Sequence, residues 1–256
     1  MARPLIDFID VAGLPWHTAH YPTGTLPYRF QVISEDPDGG ERTLLVELPP
    51  GWSAEQDGWF DADDEIFLLS GELSLNGERL TRYGYQFLPA GQLRRDVRSG
   101  RGARFLQFQT ASPNFEPAHS DGPDFDPARA IGPLHLRLME YERPRTPNFP
   151  AGAARKTFRL DEATGDSFWV IAMLPHWSSP LTEVHTFSEE NYVLEGTIET
   201  TEGVMMPGGY LHHPPGAVHG PMRSRTGCLI ITRASGPFHT DFVRVPGDYT
   251  FPEELE

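Results

Sequence analysis

The chain has almost no cysteine. Cys228 is the only one in 256 residues, which excludes a disulfide scaffold and any thiolate metal site within the chain. It lies in GCLIITR, an apolar run that reads as a buried strand, so the thiol is expected in a core. Basic residues are also scarce: 21 Lys and Arg face 36 Asp and Glu, a formal charge of −15. That balance argues against nucleic acid and anionic membranes as main partners and favours solubility. Long apolar runs are missing. The N-terminal MARPLIDFIDVAG carries acids early, so neither a signal peptide nor a membrane span is expected, and the protein is placed in the cytoplasm. Helical periodicity is weak throughout; ARAIGPLHLRLMEYE (128–142) is the one stretch that half fits a helix.

What the chain has is turns, with 25 Pro and 25 Gly, and short runs of β-branched and aromatic residues between them. RTLLVELPP, EIFLLSGELSL, YQFLPAG and ARFLQFQ form one series. SFWVIAMLP, NYVLEGTIET, GYLHHPPG and CLIITR form another. The two series are in register. Trp52 and Trp177 stand 125 positions apart, and the same offset, without a gap, pairs Glu65 with Glu190, Leu69 with Leu194 and Gly71 with Gly196. It also pairs Gly84-Tyr85 with Gly209-Tyr210, Pro89 and Gly91 with Pro214 and Gly216, and Gly102 with Gly227. Shared turn glycines and prolines report shared backbone geometry. The chain therefore reads as one β unit used twice, 1–125 and 126–256. The Pro-, Asp- and Gly-rich stretch Ala111 to Pro133 serves as the linker, and PEELE is a solvated tail.

One set of side chains occurs in the second copy alone. Glu183 and His185 are two residues apart, so both point to one face of a strand. Glu189 follows a short turn, and His219 follows the turn at Pro214-Pro215-Gly216. A sheet that curls on itself would gather all four inside. Two imidazoles with one or two carboxylates suit Fe(II) or Mn(II), with Zn and Ni also accommodated.

These segments resemble the two signature motifs of the cupins. The first runs G-x5-H-x-H-x3-4-E-x6-G, and His185, Glu189 and Gly196 match its second His, its Glu and its closing Gly. The second runs G-x5-P-x-G-x2-H-x3-N, and Gly208, Pro214, Gly216 and His219 match it. Trp177 replaces the opening Gly, Glu183 the first His and Arg223 the final Asn. The resemblance covers both repeats, so the chain is similar to a bicupin of the ChrR-like or DUF4437-like kind. It implies an all-β fold of two tandem jelly-roll (double-stranded β-helix) barrels, with a divalent ion on His185, Glu189 and His219. Glu183 then ligates the ion or acts beside it as general base. His212, His213 and Tyr192 are expected in the substrate pocket. In the first copy the equivalent positions are Gly58, Phe60, Asp64 and Arg94, which suit an ion pair and no metal.

The resemblance further implies an enzyme acting on a small organic substrate, dioxygenase-like in the first instance. A non-redox metal lyase or isomerase is the alternative, and a metal-binding sensor without turnover is another. Exposed edge strands suit a homodimer.

Overall fold

The computed structural model describes residues 3–237, 239–244 and 251; the PEELE tail lies outside them. Strands dominate, and the helical turns among the described residues are the short 3-10 segments Val11–Gly13, Pro127–Arg129 and Leu136–Leu138. None is long and apolar enough to cross a membrane. The stretch that half fits a helix is the strand Ile131–His135 followed by the last of those turns. Gly132 and Pro133 break helical backbone there, and pairing with Gly84–Leu88 holds the segment extended.

The chain divides into two compact units. One holds Leu14–Leu138, and the other holds Pro4–Gly13 with the chain from Met139 onward. In the first, the main sheet runs Ile131–His135, Gly84–Leu88, Asp64–Leu75, Ala103–Gln109, Arg42–Leu48, Pro27–Glu35 and His17–His20. In the second it runs Ile6–Asp10, Gly209–His213, Ser188–Gly196, Cys228–Ser235, Ser167–Met173 and Ala153–Leu160. Neighbouring strands are antiparallel throughout. At the offset of 125 each of the six strands of the second sheet has its counterpart in the first, in the same order, from Ile6↔Ile131 onward; the edge strand His17–His20 has none.

That correspondence moves the boundary placed at residue 125. The first strand of each repeat joins the sheet built from the rest of the other repeat: Ile6–Asp10 pairs with Gly209–His213, and Ile131–His135 pairs with Gly84–Leu88. Ala111 to Pro133 is likewise more than a linker. Phe115–Pro117 pairs with Gly58–Phe60, and Asp126 caps a 3-10 turn through Ala128 N–H.

Alternation builds both cores. Leu44, Val46 and Leu48 point inward from Arg42–Leu48 and pack with Ile66, Leu68 and Phe105. Trp169, Ile171 and Met173 do the same from Ser167–Met173, packing with Val193, Cys228 and Ile230. Cys228 is a core thiol as expected, and burial pushes its pKa up to about 11.

The repeat extends to individual hydrogen bonds. Tyr85 Oη donates to Glu65 (2.6 Å), and Tyr210 Oη donates to Glu190 (2.7 Å). Ser99 Oγ donates to the Glu72 carbonyl (2.7 Å), and Ser224 Oγ to the Thr197 carbonyl (2.6 Å). Gly71 and Gly196 show why glycine recurs at this position. Each has φ near +75°, and a Cβ there would lie 2.0 or 1.9 Å from the carbonyl oxygen of Gly102 or Gly227. No side chain fits where two backbones approach so closely.

Candidate metal centre

Four strands of the second unit carry the site. Leu181–His185 lies between Val218–His219 and Thr240–Arg244 in a small sheet, with Glu183 directly opposite His219. In the main sheet, Ser188–Gly196 pairs with Gly209–His213, which sets Glu189 directly opposite His213. The turn at Pro214-Pro215-Gly216 is tied back by Gly216 N–H donating to the His185 carbonyl (2.8 Å), and it delivers His219 beside His185.

The donor atoms converge. His185 Nε2 lies 3.2 Å from His219 Nε2, 3.3 Å from Glu189 Oε2 and 3.7 Å from Glu183 Oε2. His219 Nε2 lies 3.5 Å from Glu189 Oε2 and 3.9 Å from Glu183 Oε2. Glu183, His185 and His219 form one group whose donor atoms lie within 4.8 Å of one another; Glu189, His213 and His219 form a second. Ligands about 2.1 Å from a common ion stand roughly 3.0–3.4 Å apart at octahedral or tetrahedral angles. The shorter separations here fall in or close to that range, so the residues fit a divalent ion.

The surroundings orient these groups. His185 Nδ1 bonds Thr240 Oγ1 (2.9 Å), and its ring stacks on Phe187 at 4.6 Å. With Nδ1 thus engaged, Nε2 is the nitrogen that faces the cluster. Glu183 Oε1 and His213 Nδ1 are buried without a hydrogen-bond partner. Buried polar atoms left so are costly, and a ligand in the site is the usual remedy.

Electrostatics separate the two carboxylates. Burial, and then the nearby charge of Glu189, push Glu183 up to about 7. For Glu189, burial pushes upward, but His185 by charge and hydrogen bond, followed by His219 and His213, bring it down to about 2. Burial drives His219 down to about 4 and lowers His213 as well. His185 is opposed by burial yet raised overall by Glu189 and Glu183. Glu189 is thus a fixed anion, whereas Glu183 is a carboxyl that can hold or release a proton near neutrality.

A cavity of about 70 Å³ opens beside these residues. Glu183, His185 and Glu189 reach it, and its wall is mostly apolar, including Trp169, Ile171 and Met205. Its polar points include Asn191, Thr232, Thr240 and Arg155.

The structure thus gathers all four residues expected around a metal. It redistributes the three expected in the pocket. His213 joins the donor group, its ring 4.4 Å from that of His219. His212 lies outside the cavity lining and bonds the Pro4 carbonyl through Nδ1 (2.8 Å). Tyr192 is also outside that lining, because Asn191 and Val193 take the cavity-facing positions and strand alternation turns the residue between them away. The sequence reading missed Arg155 and Thr240. Arg155 lies outside both motifs, and Thr240 declares itself only through its pairing with His185.

Comparison with known structures matches this fold. A candidate dioxygenase from Nostoc punctiforme superposes with a TM-score of 0.85 at 24% identity, covering 92% of this chain and 87% of that one. A candidate glyoxylate-induced protein from Pseudomonas aeruginosa gives 0.62 at 19% identity, over 91% and 86%. Salicylate 1,2-dioxygenase from Pseudoaminobacter salicylatoxidans, with gentisate bound, gives 0.59 at 13% identity, over 79% and 73%. These likenesses support an all-β jelly-roll fold. No curated protein matches the sequence. A family model, DUF4437, described as a domain of unknown function, matches residues 16–241. That span covers most of both repeats, and the chain belongs to the DUF4437 family.

Proposed function

We propose that the protein is a metal-dependent bicupin enzyme of dioxygenase-like activity, with its ion in the second unit and a small organic substrate in the adjoining cavity. The observation that carries this reading is the convergence of Glu183, His185, Glu189, His213 and His219 beside a mostly apolar cavity. The names of the structural relatives, two of them dioxygenases or candidates for that activity, support it. His185, Glu189 and His219 hold the ion, with Fe(II) or Mn(II) favoured by the hard, mixed N/O donor set and Zn or Ni next. When bound, the ion supplies Lewis-acid activation of an enol, carbonyl or carboxylate substrate and of dioxygen.

The chain's own residues do the rest. Thr240 fixes the His185 ring. Asn191 and Thr232 offer hydrogen bonds at the cavity wall, where Thr232 Oγ1 already donates to Asn191 Oδ1 (2.6 Å). Arg155, its charge met by Glu142 (3.0 Å), brings guanidinium N–H donors to the cavity wall, which suit an oxygen-bearing group of the substrate. Glu183 takes or returns a proton at Oε1, the oxygen that lacks a partner. The apolar wall excludes bulk water from that exchange. The single buried thiol suits a reducing cytoplasm, and the homodimer suggested by exposed strand edges belongs to the same proposal.

Oxygen uptake tests this reading. Metal-free protein is reloaded with Fe(II), Mn(II) or Zn and screened on phenols, keto acids and diketones. The iron or manganese form is expected to consume dioxygen with at least one of them. Turnover without oxygen uptake would favour a lyase or isomerase, for which the titratable Glu183 is already suited. Failure to retain any ion would overturn both.

Ion uptake is also expected to depend on pH. With Glu183 near 7 in the ion-free protein, uptake at pH 6 must displace its proton if it ligates, whereas at pH 8 it need not. Apparent affinity therefore rises from pH 6 to 8, and Glu183→Gln flattens the rise. A slope unchanged in that variant would assign the proton to another group, as competition titrations with a chromophoric chelator will show.

A further inference from the structure

The first unit has a cavity of its own, about 160 Å³ against about 70 Å³ beside the metal centre. It occupies the equivalent place in the repeat but carries different chemistry. Where the second unit has His185, Glu189 and His219, the first has Phe60, Asp64 and Arg94. Arg94 Nη1 donates to Asp64 Oδ2 (2.6 Å), and the guanidinium lies 4.5 Å over the Phe60 ring. A cationic group thus fills the position of a metal ligand, and its charge repels a metal cation there.

The charges do not cancel. Arg42 also lines the cavity, and its partner is the neutral Gln109, reached from Nε at 2.8 Å. The one carboxylate paired with them is Asp64, behind the lining, whose Oδ2 accepts from Arg94 and from Gln107 Nε2 (2.9 Å) while its Oδ1 has no partner. Two guanidinium groups against one carboxylate leave one positive charge over. Arg94 is 4% exposed, and its Nε has no partner. Tyr21 and Tyr28 line the same space, and burial pushes both hydroxyls upward, which keeps them protonated as donors. The remaining wall is apolar, with Trp52, Leu73 and Phe105 among its members. An apolar cavity on the order of 150 Å³ is large enough to hold a benzene ring.

We propose that the cavity of the first unit binds a small organic monocarboxylate without a metal, its carboxylate received by Arg42 and Arg94 and its apolar body, about one ring in size, held by the aromatic and aliphatic wall. An anion supplies the missing charge, accepts from the orphaned Arg94 Nε and from the tyrosine hydroxyls, and fills the apolar remainder. A neutral guest would leave the excess charge in place, and a cation would add to it. Pro22 is an exposed member of the lining, so the cavity reaches the surface on that side.

Isothermal titration of the full chain, kept in EDTA so that no divalent ion contributes, tests this. The probes are benzoate and isovalerate against their amides, benzamide and isovaleramide. At least one acid is expected to bind, with its amide at least 10-fold weaker. Arg42→Gln removes the charge while leaving no buried carboxylate unpaired, and it is expected to weaken the acid at least 10-fold with an unchanged melting temperature. If Arg42→Gln fails to fold, the comparison of acid with amide in the unaltered chain decides. Binding of neither acid, equal binding of acid and amide, or full binding by folded Arg42→Gln would overturn the proposal. None of these outcomes bears on ion uptake by the second unit, so the two readings fail separately.

Discussion

Replacing His219 by alanine is expected to weaken divalent-ion binding by more than about 100-fold and to abolish oxygen uptake with every substrate. Removing a group that merely orients a ligand costs about 10- to 100-fold in affinity, and removing a ligand itself costs more. His219 is the side chain common to both donor groups, Glu183–His185–His219 and Glu189–His213–His219. Its loss leaves neither complete. Metal content after desalting, read by elemental analysis, is the direct check; retention of one ion per chain at unaltered affinity would move the ion elsewhere. Glu183→Gln answers a finer question by the same assay. If Glu183 ligates, the variant loses ion and turnover together. If it carries a proton, the ion stays and turnover falls.

The second large effect is on stability. Asp64→Ala is expected to cost on the order of 3–5 kcal/mol, the usual cost of removing one partner from a buried ion pair. Asp64 is 1% exposed and Arg94 4%. The substitution strands the Arg94 charge among apolar groups, since its other described contact is the face of Phe60. Asp64→Leu combined with Arg94→Met removes both charges and is expected to be close to neutral or stabilising. Urea midpoints with EDTA present give the comparison without a contribution from bound ion. A cost below about 1 kcal/mol for Asp64→Ala would mean that water reaches the pair and screens it.

That ion pair was legible in the sequence, and the reason is the repeat. An ungapped offset lets one copy serve as the reference for the other, so Arg94 and Asp64 could be read against His219 and Glu189. The fold class was legible for a related reason: strand alternation and turn glycines such as Gly71 and Gly196 are local signals written twice. His213 was harder to assign. Sequence alternation says that one of two adjacent histidines faces inward, but only the register of Gly209–His213 against Ser188–Gly196 says which. Tyr192 was misplaced by the same ambiguity, by one step along a strand. The pairing of Ile6–Asp10 and Ile131–His135 was not legible, because both strands are short and carry no motif. Their partners are distant in sequence, and only the folded sheets identify them.

The exchanged strands have a consequence for how the protein is made. A ribosome releases Ile6–Asp10 more than 190 residues before Gly209–His213, the strand it will pair with. Gly84–Leu88 emerges with one flank open and waits for Ile131–His135 to cover it. Nascent chains interrupted in that interval present an unsatisfied strand edge, the kind of surface that recruits other chains. The same arrangement makes the repeat boundary a poor place to cut. A fragment ending at residue 125 would carry a strand suited to the missing half and lack the one that closes its own sheet. The gene can be divided into two similar sentences, but each compact unit is spelled from both.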